Sequence, residues 1–240
     1  MILALPARAK LNLDLEVVGR REDGFHDIRT TFQEIELHDL IELEKANETA
    51  FTTEGFEVDG SDNSVLKAQQ ALERAVGRAL PARIHLHKRI PPGSGLGGAS
   101  SDAATTLRAL KAMYAVDVDL VKIALEVGSD VPFFLLGGRA GAEGRGERLT
   151  PLPTIKQWFA IAWPRIELST ADVYRAWDGI NGDLQRAAEQ VEPRLAEFAK
   201  TLGTSWQMTG SGSAFFKAAD NEKQAREAIA KLDCWTAVTR

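Results

Sequence analysis

Residues 7–17 alternate: Ala7, Ala9, Leu11, Leu13, Leu15 and Val17 are apolar, while Arg8, Lys10, Asn12, Asp14 and Glu16 are polar. A period of two predicts a half-buried strand, with Lys10 and Asn12 on its solvent-facing side. Asp23-Gly24 is a turn signal. A strand-like run follows from His26 to about Leu43, broken near His38-Asp39. The period then changes. Val65, Ala68, Leu72 and Ala75 share one helical face, with Asn63-Ser64 as the start and Gly77 near the stop. Ile84 and Leu86 alternate with His85 and His87 as another strand. Ala103, Leu107, Leu110 and Tyr114 mark a helical face, a further helix covers Leu120 to Val127 and ends at Gly128, and Ser129-Asp130-Val131-Pro132 opens a short one, since Pro suits a first turn. Short strands resume after Gly137-Gly138, including Trp158 to Trp163. Helices follow near Ala171-Trp177, Leu184-Leu202 and Glu222-Leu232. Strands and helices mix without regular β-α-β alternation, so the expected class is α+β. Prolines around Leu149–Pro153 suggest a boundary between residues 1–150 and 151–240.

The chain has 240 residues, enough for one large or two modest domains. A net charge of -5 with no basic stripe argues against a nucleic-acid partner. An anionic small substrate stays open, because a phosphate site needs only local cations and backbone donors. Cys234 is the single cysteine, which rules out an internal disulfide and reads as a small apolar residue in a reducing compartment. The start, Met1-Ile-Leu-Ala-Leu-Pro6, lacks the layout of a signal peptide, and Val131–Leu136 and Trp158–Trp163 are too short to span a membrane. A cytoplasmic location without a membrane partner is expected. No His/Cys/Asp cluster shows metal-ligand spacing, so no resident metal is expected. His38, His85 and His87 read as structural or exposed, and Arg20, Arg21 and Arg29 as solvated surface.

The strongest chemical signal is Pro91-Pro92-Gly93-Ser94-Gly95-Leu96-Gly97-Gly98-Ala99-Ser100-Ser101, which opens onto a helix. Glycines let a backbone curl against an anion, successive N–H groups form a nest, and the helix start adds a positive dipole end. Gly93, Gly95 and Gly98 also satisfy G-x-G-x-x-G, but the strand before them alternates with charges and ends in two prolines, which suits a dinucleotide fold poorly. No Gly-Lys-Ser/Thr closes the loop, so the ATPase P-loop fails. The plainer alternative is a flexible connection.

This loop resembles the phosphate loop of the GHMP kinases. Ala7-Arg-Ala-Lys-Leu-Asn-Leu13 resembles that family's first motif, and Met208-Thr-Gly-Ser-Gly212 continues in register. Arg21-Glu-Asp-Gly-Phe-His26 with Phe32-Gln33, and Gly128-Ser-Asp-Val-Pro-Phe133, resemble the branch acting on a diphosphocytidyl-methylerythritol substrate. Ala142-Glu-Gly-Arg-Gly-Glu147 extends the ordered set, which covers most of the chain. The chain departs from the branch by being short between Asp178 and Val191 and at the C-terminus.

The resemblance implies a two-domain fold, with an N-terminal domain like domain 2 of ribosomal protein S5 and a ferredoxin-like C-terminal domain. It implies ATP-dependent phosphorylation of the 2-hydroxyl of a cytidine-diphosphate sugar alcohol on the non-mevalonate isoprenoid route. Asp130 would be the base, although a helix cap is the simpler local reading. Lys10 would hold it ionised and offset charge on the transferring group; most lysines on a strand's polar side are merely solvated. Phe25 and Tyr174 would sandwich the cytosine or, more plainly, pack in the core. His26 would read the base edge, and Asn12 and Phe32 would line the pocket. Lys88 would reach the ATP phosphates or stand in solvent. Thr209, Gly210, Ser211, Gly212 and Ser213 would offer N–H groups to substrate phosphates, or form a tight hairpin. Mg²⁺ would arrive with ATP, Ser101 being the best protein candidate to touch it. A monomer or homodimer is expected. Two rivals stay open: a sister GHMP kinase of mevalonate or homoserine type, and a non-catalytic ligand-binding member of the fold.

Overall fold

Long alternating stretches at the N-terminus build long strands. In the computed structural model, which describes residues 2–58, 60, 63–180 and 182–240, β1 (Ile2–Arg20) pairs with β2 (His26–Lys45). Two expectations are corrected here. The run after His26 does not break at His38-Asp39, because Asp39 is a fully buried anchor inside β2 whose Oδ1 accepts from the N–H groups of Arg89 and Ile90. Nor do Lys10 and Asn12 face solvent; they are 3% and 4% exposed. Alternation distinguishes two faces of a strand but not whether both are covered.

The chain forms two units that interleave in sequence. One comprises Met1–Ala9, His38–Ile90 and Gly97–Gly137. In it β3 (Ala50–Gly55) lies parallel to β4 (Ala82–Lys88), and β4 lies antiparallel to Leu40–Lys45 of β2. The order of helices is α1 (Ser64–Val76), α2 (Gly98–Tyr114), α3 (Leu120–Val127) and α4 (Val131–Leu136). Asn63 caps α1, its Oδ1 accepting from the Val65 N–H. Leu72, Leu107, Leu110 and Phe133 of these helices are buried, as are Ile84 and Leu86 of β4. Fully burying one such side chain is worth about 1.5–3 kcal/mol.

The other unit comprises Lys10–Leu37, Pro91–Leu96 and Gly138–Arg240. Here β5 (Arg139–Gly144) pairs with Ile28–Gln33 of β2, and β6 (Arg148–Pro151) pairs with β5. A separate antiparallel sheet holds β7 (Trp158–Trp163), β8 (Gln207–Met208), β9 (Phe215–Ala219) and β10 (Trp235–Thr239) in the order β10-β7-β9-β8. The unit's helices are α5 (Thr170–Ile180), α6 (Leu184–Val191), α7 (Arg194–Leu202) and α8 (Glu222–Ile229). The single helix expected over Leu184–Leu202 is two, because Pro193 pushes Glu192 to extended backbone (φ -137°, ψ 95°). The unit's core gathers Ala160, Ala162, Val173, Leu184, Leu195 and Phe215. Among the described residues no helix is long and apolar enough to cross a membrane.

Candidate active site

The glycine loop adopts a conformation that side chains resist. Gly93, Gly95 and Gly97 have φ of 58°, 79° and 75°. At Gly95 a Cβ would also lie 2.2 Å from the carbonyl oxygen of Thr209, so no larger residue fits. The loop is tied down on its inner side: Ser94 Oγ donates to the Pro91 carbonyl at 2.6 Å, and the Ser94 carbonyl accepts from Ala214 N–H at 3.0 Å. Pro91 and Leu96 are buried, Pro92 half-buried. Gly97 then starts the seventeen-residue α2 without a side-chain cap, and the first turn of α2 carries no acidic residue. A helix start left uncapped and free of negative charge suits an anion. Gly98 and Ser101 are buried, Ser100 is half-buried and Ala99 exposed.

Lys10 reaches this loop twice. Its backbone N–H donates to the Leu96 carbonyl at 2.9 Å, and its Nζ donates to the Gly95 carbonyl at 2.8 Å and to Asn12 Oδ1 at 2.6 Å. Asn12 is fixed in turn, donating from its backbone N–H to Thr209 Oγ1 and from Nδ2 to Thr30 Oγ1. The ring of buried Phe32 lies 5.4 Å from Lys10 Nζ, close enough for a cation–π contact. Thr209–Ser213 forms the turn between β8 and β9, closed by Thr209 N–H to the Ala214 carbonyl and Gly212 N–H to the Thr209 carbonyl. It lies against the same ammonium: a Cβ on Gly210 would be 3.3 Å from both Lys10 Nζ and Asn12 Oδ1. Ser211 Oγ is 2.9 Å from Thr170 Oγ1 at the start of α5.

Asp130 stands at the N-cap position of α4 with Pro in the first turn, as the local sequence suggests, yet its side chain makes no capping bond. Lys88 turns inward. It is 4% exposed, and its Nζ donates to Asp39 Oδ2 at 2.5 Å and to Asp102 Oδ2 at 2.7 Å. A Cβ on Gly98 would sit 2.8 Å from that Nζ, so the triad lies directly beneath the first turn of α2. Burial alone would lower the pKa of Lys88, but Asp102 and Asp39 more than reverse it and leave it raised. Burial, with Asp39 adding to it against Lys88, pushes the Asp102 carboxyl up to about 7. One ammonium faces two buried carboxylates, and Asp102 Oδ1 has no hydrogen-bond partner.

The aromatic candidates lie elsewhere in the second unit. Phe25 is 48% exposed on the turn before β2, with the Arg145 guanidinium 4.6 Å from its ring centre. His26 is buried, its ring 4.9 Å from the half-buried Tyr174 ring and 5.5 Å from Trp177. Its Nε2 is 2.7 Å from Asp178 Oδ1. An ionised carboxylate only accepts, so Nε2 carries hydrogen, and a neutral ring then keeps its lone pair on Nδ1. Sequence reasoning missed Asp178 and Trp177. The signal was present: Tyr174, Trp177 and Asp178 stand at i, i+3 and i+4 on α5, one helical face. It also missed Asp39 and Asp102 as partners of Lys88, for which spacing offers no cue.

Residues 63–138 match the N-terminal domain of the GHMP kinases. The 4-diphosphocytidyl-2-C-methyl-D-erythritol kinase of Shewanella loihica is 38% identical, the alignment covering 95% of this chain and 89% of the relative. The enzyme of the same name from Shewanella piezotolerans is 36% identical over 96% of this chain and 89% of its own. A crystal structure of 4-(cytidine 5'-diphospho)-2C-methyl-D-erythritol kinase superimposes with a TM-score of 0.82 at 35% identity, covering 99% of each chain.

Proposed function

Because this chain belongs to the 4-diphosphocytidyl-2-C-methyl-D-erythritol kinase family of GHMP kinases, we propose that it transfers the γ-phosphate of ATP to the 2-hydroxyl of 4-diphosphocytidyl-2-C-methyl-D-erythritol. The observation that carries the substrate is His26, its ring tilted 4.9 Å from that of Tyr174 and held through Nε2 by Asp178. The remaining Nδ1 lone pair accepts a hydrogen bond, which suits the exocyclic amine of cytosine and not the carbonyl that uracil carries there. Phe25 and Tyr174 supply aromatic faces for the base, a contact worth roughly 1–3 kcal/mol. Asn12 and Phe32 line the sugar-alcohol side, and the N–H groups of Thr209–Gly212 serve the substrate's phosphates.

Phosphoryl transfer asks mainly for positioning and charge stabilisation. The acceptor oxygen bonds to the γ-phosphorus, the bond from that phosphorus to the bridging oxygen breaks, and ADP leaves. Asp130 takes the hydroxyl proton. Lys10, oriented by Asn12 and the Gly95 carbonyl, offsets charge on the transferring group. The loop Pro91–Ser101 with the start of α2 holds the triphosphate. The cradle fits: its N-terminal turn has no acid to repel an anion, and Gly95 leaves the backbone bare. Lys88 acts through the loop it underpins. Mg²⁺ comes with the nucleotide and neutralises its phosphates, Ser101 being the candidate hydroxyl for it. A cytoplasmic location and a monomeric or homodimeric state complete the proposal.

An ADP-release assay comparing the cytidyl substrate with mevalonate and homoserine tests this reading. Turnover should be largely confined to the cytidyl substrate. A strong preference for either competitor overturns the branch assignment, and binding of the cytidyl substrate with no turnover of any acceptor overturns the enzymatic one.

A further inference from the structure

The outer face of the first unit's sheet holds a group of side chains that the kinase reaction does not use. His85 and His87 are two apart on β4, so both rings emerge on the same face. Their cross-strand partners complete the cluster. On one side the parallel register sets Thr52 opposite His85 and Glu54 opposite His87. On the other, Glu42 of β2 lies opposite His85. One ring nitrogen from each histidine and one Glu54 carboxylate oxygen lie within 4.8 Å of one another. His85 Nε2 is 3.9 Å from Glu54 Oε2, and His87 Nδ1 hydrogen-bonds Glu54 Oε1.

The nitrogen on the far side of the His85 ring is arranged as a metal ligand requires. A metal-binding histidine commonly donates its second N–H to a nearby oxygen, which fixes the tautomer and turns the other lone pair to the ion. His85 Nδ1 is 2.8 Å from Thr52 Oγ1, which directs Nε2 toward Glu54. His87 Nε2 is sealed from solvent without a hydrogen bond, and Glu42 Oε1 is 3.6 Å away. Its other nitrogen faces Glu54.

We propose that His85 Nε2, His87 Nδ1 and the Glu54 carboxylate form a binding site for a borderline divalent transition ion, Zn²⁺ in the first instance, on the solvent face of β3 and β4. Two imidazoles and one carboxylate suit Zn²⁺, Cu²⁺ or Ni²⁺ far better than Mg²⁺ or Ca²⁺, which favour all-oxygen shells. Around a tetrahedral ion with bonds of about 2.0–2.1 Å, donors stand about 3.4 Å apart. The His85 Nε2–Glu54 Oε2 separation of 3.9 Å therefore needs to close by about half an ångström, and the hydrogen-bonded His87–Glu54 pair needs to open to admit the ion. The fourth position is open to water. Within this unit β3 is the outermost strand, so the ion clips an edge strand to its neighbour just before Gly55, where β3 crosses the Lys88 carbonyl too closely for any Cβ. The site is independent of the phosphotransfer chemistry.

The test uses the full-length chain without an affinity tag, stripped with chelator and titrated with Zn²⁺ by calorimetry in the absence of nucleotide. One equivalent should bind and raise the melting temperature, and Co²⁺ in its place should give the visible absorption of a tetrahedral nitrogen–oxygen site. His87→Asn, His85→Gln and Glu54→Gln should each remove that step, and Thr52→Val should weaken it roughly tenfold. Kinase turnover with Mg²⁺-ATP should stay unchanged in Glu54→Gln, which lies on the exposed edge and guards against a misfolded histidine variant. A one-equivalent step that survives all three ligand variants, or no step in the parent chain, overturns the proposal.

Discussion

Asp130 occupies the N-cap position of α4 but caps nothing with its side chain. A cap aspartate ordinarily satisfies the N–H of N2 or N3 and contributes about 1 kcal/mol to stability. The Asp130→Asn change, which removes no cap, should lower turnover by roughly 10²–10⁴-fold, the usual weight of a general base. Melting curves beside single-turnover rates check this; full turnover in the variant removes Asp130 from the base role. Asp178 offers a finer test. It fixes His26 with hydrogen on Nε2, whereas an asparagine amide can donate to that nitrogen and so reverse the ring. Asp178→Asn should raise KM for the cytidyl substrate about 2–10-fold, the worth of one net hydrogen bond. The uridine analogue should lose less, so discrimination between the two bases narrows. Unaltered discrimination would show that the base is read by other groups.

At the scale of elements, the start of α2 rests on a charge arrangement that no local pattern reveals. Lys88 sits between Asp39 and Asp102 in a site almost closed to water. Breaking a buried pair by removing one partner costs about 3–5 kcal/mol, because the remaining charge is uncompensated. Lys88→Met should therefore lower the melting temperature sharply. The deficit should depend on pH. The Asp102 carboxyl is raised from an ordinary 3.8 to about 7 in the folded chain, so the fold binds its proton more tightly than the unfolded chain does. That contribution is complete below about 3.8 and is lost as pH climbs through about 7. With the opposing Lys88 gone, protonation matters more, and the Lys88→Met deficit should be smaller at pH 5 than at pH 8. Equal deficits by thermal denaturation would show that Lys88 contributes only packing. Periodicity did foresee most elements, including the limits of α1 and α3. It failed where a proline acts against a helical face, at Pro193, and where a strand lacks apolar alternation, as in the largely exposed β3.

For the whole molecule, the interleaved units carry different parts of the proposed chemistry. The aromatic set around His26, with Lys10 and the Thr209–Ser213 turn, belongs to one; Asp130, Lys88 and α2 belong to the other. Hydrogen exchange can separate the two ligands accordingly. Cytidine diphosphate should slow exchange in Arg21–Asp27 and α5, whereas a non-hydrolysable ATP analogue should protect Gly93–Ser101 and the first turns of α2. Protection of α2 by cytidine diphosphate, with α5 unchanged, would reverse the assignment of nucleotide and substrate sites.

The linear chain by itself determined the alternation of strand and helix periods, the phosphate-type glycine loop and the ordered motifs that carry the family likeness. Each of these is local: a period needs a few turns, and a glycine cradle needs nine residues and the helix behind it. Only the tertiary structure decided that Lys10 and Asn12 are buried, that Lys88 is shared by two carboxylates, that Asp178 orients a histidine 152 positions away, and that His85, His87 and Glu54 converge. The physical reason is that a polar side chain's partner is chosen by long-range packing and burial, which leave no periodic trace in the residues that take part.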